Sequence, residues 1–266
     1  MTELAAWLQA VILGVVQGLT EFLPVSSSGH LVLFQTWMGD NFFAQEQPLL
    51  FVLALHVGTL VPVLWFYRDS LRDIVASPWD GPGPAESGAV AWLRDHPARR
   101  MAALVLLGTV PTGLIGILMK DHFEALFNSP DRVAVALLIT GAVLFGTRGR
   151  EGAGDDSVLT LRNALIIGFA QGLAITPGIS RSGTTIAVAL FLGMNRELAA
   201  RYSFLLSIPA ICGAVVLEMK DGIDFAGTDW NAVGAGFVAS MVVGYLALVM
   251  LVALVKRGGL HHFAWY

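Results

Sequence analysis

The stretch Glu21-Phe-Leu-Pro-Val-Ser-Ser-Ser-Gly-His30 interrupts an apolar run with a carboxylate, an imidazole, consecutive hydroxyls, a proline and a glycine. Pro24 and Gly29 break any helix that enters it. The surroundings are those of a membrane protein: 55% of residues are apolar, only 14% are charged, and the mean hydropathy is +0.68. In hydrocarbon an irregular backbone survives only where protein covers its N–H and C=O groups or where it lines a wet cavity. The chain must therefore fold helices around this break. Gln17 and Glu21, one turn apart, present an amide and a carboxylate on one face of the helix that leads into it.

The same pattern recurs. An ungapped shift of 154 residues lays Gly14, Gln17, Gly18, Leu19, Ser26, Ser28 and Gly29 onto Gly168, Gln171, Gly172, Leu173, Ser180, Ser182 and Gly183. The copies differ in their chemistry: Glu21, Ser27 and His30 become Ile175, Arg181 and Thr184. The first copy holds an acid, a hydroxyl and an imidazole. The second holds a guanidinium among hydroxyls and glycines, an arrangement suited to phosphate.

These features predict an all-α polytopic membrane protein, one integral domain over 1–266. Repeat 1 covers 1–147 with a re-entrant motif at 21–30, and repeat 2 covers 159–266 with a re-entrant motif at 177–185. The first broken unit comprises residues 1–20 and 31–38, the second residues 163–177 and 184–194. Five full spans are expected at 49–67, 101–119, 133–146, 202–217 and 233–255. The segment 68–100 carries Arg68, Arg72, Arg94, Arg99 and Arg100, the linker after 146 carries Arg148, Arg150 and Arg162, and Lys256-Arg257 ends the last span. Positive-inside bias places all three in the cytoplasm and residues 40–48 outside. The broken units then enter from opposite faces, giving inverted-topology repeats whose breaks meet near mid-depth. Gly14 with Gly18, and Gly168 with Gly172, are spaced for close helix packing.

Several classes are excluded. A net charge of -4 without a basic run gives no footing for nucleic acid. The single Cys212 rules out a disulfide within the chain, and no Cys/His cluster has metal-ligand spacing. The first basic residue is Arg68, so the amino-terminal stretch lacks the positive region of a secretory signal. A type-2 phosphatidic acid phosphatase would need a histidine after the Ser-Arg pair, yet none occurs between His122 and His261.

Two segments carry a resemblance: Gln17-Gly-Leu-Thr-Glu-Phe-Leu-Pro-Val-Ser-Ser-Ser-Gly-His30 and Pro177-Gly-Ile-Ser-Arg-Ser-Gly-Thr-Thr185. They closely resemble the signature motifs of the bacterial undecaprenyl pyrophosphate phosphatases, the bacitracin-resistance membrane family. Their order and separation match, and Phe204-Leu-Leu-Ser-Ile-Pro209 fits the helix that follows. The resemblance implies hydrolysis of a C55 isoprenyl pyrophosphate to the monophosphate carrier of cell-wall synthesis. It also implies a multi-pass protein of the bacterial cytoplasmic (inner) membrane, with its site open to the periplasm. Members often carry glutamate at the position of Gln17, so a two-carboxylate site is not expected here. They also usually continue past Phe263-Ala-Trp-Tyr266 into a sixth span. Partners expected are the isoprenyl pyrophosphate, membrane lipid and a second copy in a homodimer. A transporter or lipid flippase on the same inverted-repeat fold is the rival function.

Glu21, ionisable at membrane depth, is a functional candidate by default. It would deprotonate a hydroxyl or water, or ligate a divalent cation (Mg2+ or Ca2+) that bridges pyrophosphate oxygens. His30 would serve as general acid or base, or as a phosphorylated nucleophile. Ser27 is the preferred nucleophile, since the repeat register sets it opposite Arg181 and the resemblance points to the same residue; Ser26 or Ser28 would cap the following helix. Arg181 would grip phosphate in a bidentate fork. Gln17, Ser26, Ser28, Ser180, Ser182, Thr184 and Thr185 complete the expected substrate contacts. His56, inside the first full span, faces either the cavity or a neighbouring carbonyl; His96, His122, His261 and His262 are given no chemistry.

Overall fold

A computed structural model describes residues 2–38, 48–80, 88–127, 129–220 and 228–266. The expected outer loop at 40–48, apart from Pro48, lies outside the described residues. So does the 81–87 part of the basic segment. The described helices are α1 (Thr2–Phe22), α2 (Ser27–Met38), α3 (Pro48–Phe66), α4 (Arg68–Ala76), α5 (Ala89–Arg94), α6 (Pro97–Leu118), α7 (Lys120–Phe127), α8 (Pro130–Phe145), α9 (Leu161–Leu173), α10 (Arg181–Phe191), α11 (Arg196–Lys220) and α12 (Trp230–Lys256). Short 3-10 turns lie at Ser77–Trp79, Asp156–Val158 and Leu260–Trp265. The fold is all-α, as expected.

Three helices, α6, α11 and α12, are long and apolar enough to cross a membrane unaided. Two further candidates are bent pairs, Leu50–Phe66 with Arg68–Trp79 at 76° and Lys120–Phe127 with Pro130–Phe145 at 104°. The expected count of five is reached when each pair is taken as one crossing. Charged residues explain one bend: α4 opens with Arg68 and Asp69 and buries no residue, so it leaves the apolar direction of α3.

Apolar side chains turn outward along these helices. Leu106, Val110, Leu114 and Leu118 of α6, Leu138 of α8 and Leu246 of α12 are exposed, the surface a lipid solvent requires. Inside, Phe22 meets Phe204 edge-on at 5.8 Å, Tyr67 stacks on Phe204, and the buried Tyr202 hydroxyl donates to Leu104 O at 2.9 Å.

α1 lies along α12 and α9 along α6; α3 also packs on α12, and α11 on α6. At the α1–α12 crossing Gly14 has no room for a Cβ against Gly236, and at the α9–α6 crossing Gly168 has none against Gly108. Buried Thr112 donates to Gly168 O at 2.8 Å, and buried Ser240 to Leu55 O at 3.1 Å. The glycines expected to pack closely do so: Gly14 and Gly18 fit the Gly236-x3-Ser240-x3-Gly244 face of α12, Gly168 fits Gly108 of α6, and Gly172 fits Ile115 of α6.

The basic segments gather at one end of the bundle. Arg100 donates to Asp156 O and Leu159 O, both at 2.7 Å, and Arg201 pairs with Asp156, Arg196 with Glu151 and Lys256 with Glu197. Buried Arg99 donates to Ser77 O and Trp92 O, tying the segment after α4 to α6.

Candidate active site

The breaks are placed differently from the sequence expectation. α1 continues through Glu21 to Phe22 and α2 begins at Ser27, so only residues 23–26 are irregular; α9 ends at Leu173 rather than 177, so the second break lies earlier, at 174–180, and Thr184 and Thr185 already belong to α10. Both following helices thus start sooner than expected. Hydroxyl capping is the physical reason. Ser26 Oγ accepts from Gly29 N at 3.2 Å and Ser180 Oγ from Gly183 N at 3.2 Å, each satisfying an orphan amide of the first turn. The backbone bonds His30 N to Ser26 O and Thr184 N to Ser180 O repeat the correspondence. Thus Ser26 fulfils the capping expectation. It does so at a φ of +66°, in the left-handed region costly for a residue with a side chain, whereas Ser180 has a φ of -72°.

The two breaks touch. A Cβ on Gly29 would lie 3.1 Å from Gly178 Cα, and one on Gly183 would lie 2.8 Å from Pro24 Cβ. The 154-residue shift interchanges these contacts. Ser26 Oγ also accepts from Gly178 N at 3.1 Å, and Ser182 Oγ donates to Phe22 O at 2.9 Å, so each motif supplies a hydroxyl to the other's backbone. Gly178, at φ +95°, is additionally held through its carbonyl by Thr140 Oγ1 at 2.9 Å.

This contact brings the chemistry together. Glu21, buried at the end of α1, takes Arg181 Nη2 on Oε1. On Oε2 it accepts Ser27 Oγ at 2.7 Å and Gln17 Nε2 at 2.9 Å. Ser27 and Arg181 are the first residues of α2 and α10, so the positive ends of two helix dipoles converge on the same place. Arg181 has a side-chain exposure of 17% against 6% for Glu21, so the guanidinium covers the carboxylate.

The remaining expected residues divide. His30 donates through Nδ1 to Ser26 O at 2.8 Å and accepts the Tyr266 hydroxyl on Nε2, with the two rings stacked. Ser28 Oγ lies 3.2 Å from Ser26 Oγ, and Ser180 Oγ 3.4 Å from Ser182 Oγ. Buried Thr185 is turned to Arg181 O and Ser203 Oγ and fastens α10 to α11. Gln17 Oε1 and Thr184 Oγ1 are buried with no hydrogen-bond partner among the described residues. Both lie on faces that carry the site, Gln17 one turn before Glu21 and Thr184 one turn after Arg181. Tyr266 was missed; no spacing or charge signal links it to His30. His56 approaches Glu21 Oε2 with Nε2 at 3.7 Å while its Nδ1 donates to Val52 O at 2.9 Å, so both readings left open for it hold.

No three His, Cys, Asp or Glu side chains cluster as a ligand set among the described residues. A divalent cation would have Glu21 and the unpartnered Gln17 Oε1 as protein oxygen donors. That suits a hard cation whose other positions are filled by phosphate oxygens and water.

Fold and site define a polytopic α-helical membrane protein with an acid, a hydroxyl and a guanidinium assembled at two abutting helix breaks. The chain belongs to the BacA family: the model of the bacitracin resistance protein BacA matches residues 10–266. It is 48% identical to an undecaprenyl-diphosphatase of Desulfatibacillum aliphaticivorans, over 98% of this chain and 94% of that one. Undecaprenyl-diphosphatases of Carboxydothermus hydrogenoformans and Methanosphaera stadtmanae are 44% and 43% identical, over 97% of this chain and 92% and 93% of theirs.

Proposed function

We propose that this chain hydrolyses undecaprenyl diphosphate to undecaprenyl phosphate and inorganic phosphate. The observation that carries the reading is the Ser27–Glu21–Arg181 cluster, which holds a nucleophile, its base and a phosphate-gripping fork together at two helix N-termini. Its relatives carry the name of that activity.

Arg181 exchanges its bond to Glu21 for the terminal phosphate oxygens, freeing the carboxylate as a base. Ser27 Oγ bonds to the terminal phosphorus while its proton passes to Glu21 Oε2, the bridging P–O bond breaks, and undecaprenyl phosphate departs. Water then displaces phosphate from Ser27, and Glu21 returns the proton to Oγ. Developing charge on the phosphate is met by Arg181, by the unpaired Thr184 hydroxyl and by the helix ends. His30, with Nδ1 committed to Ser26 O, exchanges a proton with the leaving group through Nε2, where the leaving phosphate takes the place of the Tyr266 hydroxyl. A divalent cation at Glu21 and Gln17 would neutralise phosphate charge. Ser26, Ser182 and Thr185 serve as scaffold, because their hydroxyls are engaged with backbone or with a neighbouring helix.

The reciprocal packing of α1 on α12 and α9 on α6 supports inverted repeats, with the basic end in the cytoplasm and the site opening to the periplasm. A flippase would need the grip of Arg181 but no proton path from Ser27. Purified protein in detergent, where no compartments exist, should release phosphate from a C55 or C15 isoprenyl diphosphate. Binding without release would reject the hydrolase in favour of the carrier.

A further inference from the structure

We infer that His56 is a positioning residue for Glu21, fixing the carboxylate oxygen that receives the Ser27 proton. The inference rests on the role given to Glu21 above. The backbone around His56 is held from α12 on both sides. Ser240 of α12 donates to Leu55 O at 3.1 Å, one residue before His56. Gly58, two residues after it, is pressed against Phe237 and Ser240 so closely that a Cβ would collide with both. Thr59 Oγ1 donates to His56 O at 2.8 Å. α3 is thus held against α12 on both sides of His56, at Leu55 and at Gly58.

The ring is oriented just as tightly. Its Nδ1 faces the Val52 carbonyl at 2.9 Å, and a carbonyl can only accept, so Nδ1 is a donor. That bond turns Nε2 toward Glu21 Oε2 at 3.7 Å. Both nitrogens thus face acceptors, an arrangement that holds Glu21 only through the imidazolium, because a neutral ring with its proton on Nδ1 would turn a lone pair toward Oε2. Glu21 in turn is addressed from four sides: Gln17 from its own helix, Ser27 from α2, Arg181 from α10 and His56 from α3. Arg181 is the partner that substrate phosphate draws away. His56, which has no place in the phosphate grip, stays and keeps Oε2 aimed at Ser27. Orientation of a reacting group by a neighbour outside the chemistry contributes to turnover rather than to binding.

His56→Phe, His56→Gln, Glu21→Gln and the double variant Glu21→Gln/His56→Phe test this in detergent, each read for kcat, KM and thermal midpoint. In His56→Phe, kcat should fall at least about 10-fold with KM within about twofold of the parent. His56→Gln, whose amide supplies a donor on a side chain of similar reach, should recover to within about threefold of the parent. In the Glu21→Gln background, His56→Phe should cost little further activity, the non-additivity of neighbours acting as a unit. Equal kcat for parent and His56→Phe, equal losses in the Phe and Gln variants, or additive effects in the double variant would each overturn the inference. A parent without phosphatase activity would instead overturn the hydrolase reading. The thermal midpoints then decide His56 by themselves: coupled shifts for the pair sustain the contact, and additive shifts reject it.

Discussion

Arg181 donates to Glu21 across 160 positions of sequence, joining the two copies of a duplicated motif through the residues in which the copies differ. Each copy alone has half of the chemistry. A carboxylate buried at membrane depth is costly without a partner, and the guanidinium supplied by the second copy satisfies it until a phosphate arrives. In the proposed mechanism the pair is therefore a resting contact and the first contact exchanged on binding.

Arg181→Lys should lose most activity although the charge is kept, because a point ammonium cannot reproduce the planar two-donor fork that holds two phosphate oxygens. A charge-assisted bond of about 1.5–3 kcal/mol corresponds to roughly a 10- to 100-fold fall in kcat/KM. Steady-state phosphate release over a range of substrate concentrations checks it; parental kcat/KM would remove Arg181 from the grip.

Ser26→Ala should lower the thermal midpoint through loss of the α2 cap, worth about 1 kcal/mol, and should also leave Gly178 N unpaired. Activity should fall with it, since the same oxygen holds the two breaks together. Ser26→Gly loses the same bonds but relieves the left-handed backbone, so it should be the less destabilised of the two. Differential scanning in detergent orders the pair, and a Gly variant less stable than the Ala variant would contradict the strain argument.

Gly168→Leu should prevent α9 from seating on α6, because the glycine Cα already lies against the Gly108 backbone. The expected readout is a large loss of folded protein on size-exclusion chromatography, whereas Gly213→Leu, where a Cβ meets open space, should behave as the parent. Similar losses at both positions would deny the close crossing.

Much of this was legible in the sequence because the break, its duplication and its hydroxyls are local signals. The shift of 154 residues laid Ser26, expected with Ser28 as a candidate cap, onto Ser180, expected only as a phosphate contact but found as the matching cap, and set Ser27 in register with Arg181. It did not reveal that both converge on Glu21, which depends on how the breaks abut at Gly29–Gly178 and Gly183–Pro24. Thr185 and Ser182 looked like phosphate ligands by composition, yet helical rotation turns them toward Ser203 and the Phe22 carbonyl. His56 had a usable signal, an ionisable side chain within an apolar span, but its partner lies on another helix. Tyr266 had none.

Orientation can be read without turnover. In a Cys212→Ser background, Arg72→Cys on exposed α4 should react with a membrane-impermeant maleimide only after cells are opened, as the positive-inside bias of the basic end requires. Labelling of intact cells would reverse the topology and the periplasmic opening of the site.

The central claim is that Ser27 attacks phosphorus with Glu21 as its base. Phosphate release from undecaprenyl diphosphate by Ser27→Ala, set beside Glu21→Gln and the parent across pH and magnesium or calcium, tests it most directly. Both variants should fall by at least about 100-fold. Raised pH or divalent ion should recover part of the Glu21→Gln activity and none of that of Ser27→Ala, which lacks the bond-forming atom. A Ser27→Ala protein within a few-fold of the parent would contradict the covalent mechanism and make Ser27 a hydrogen-bond donor to a phosphate attacked by water.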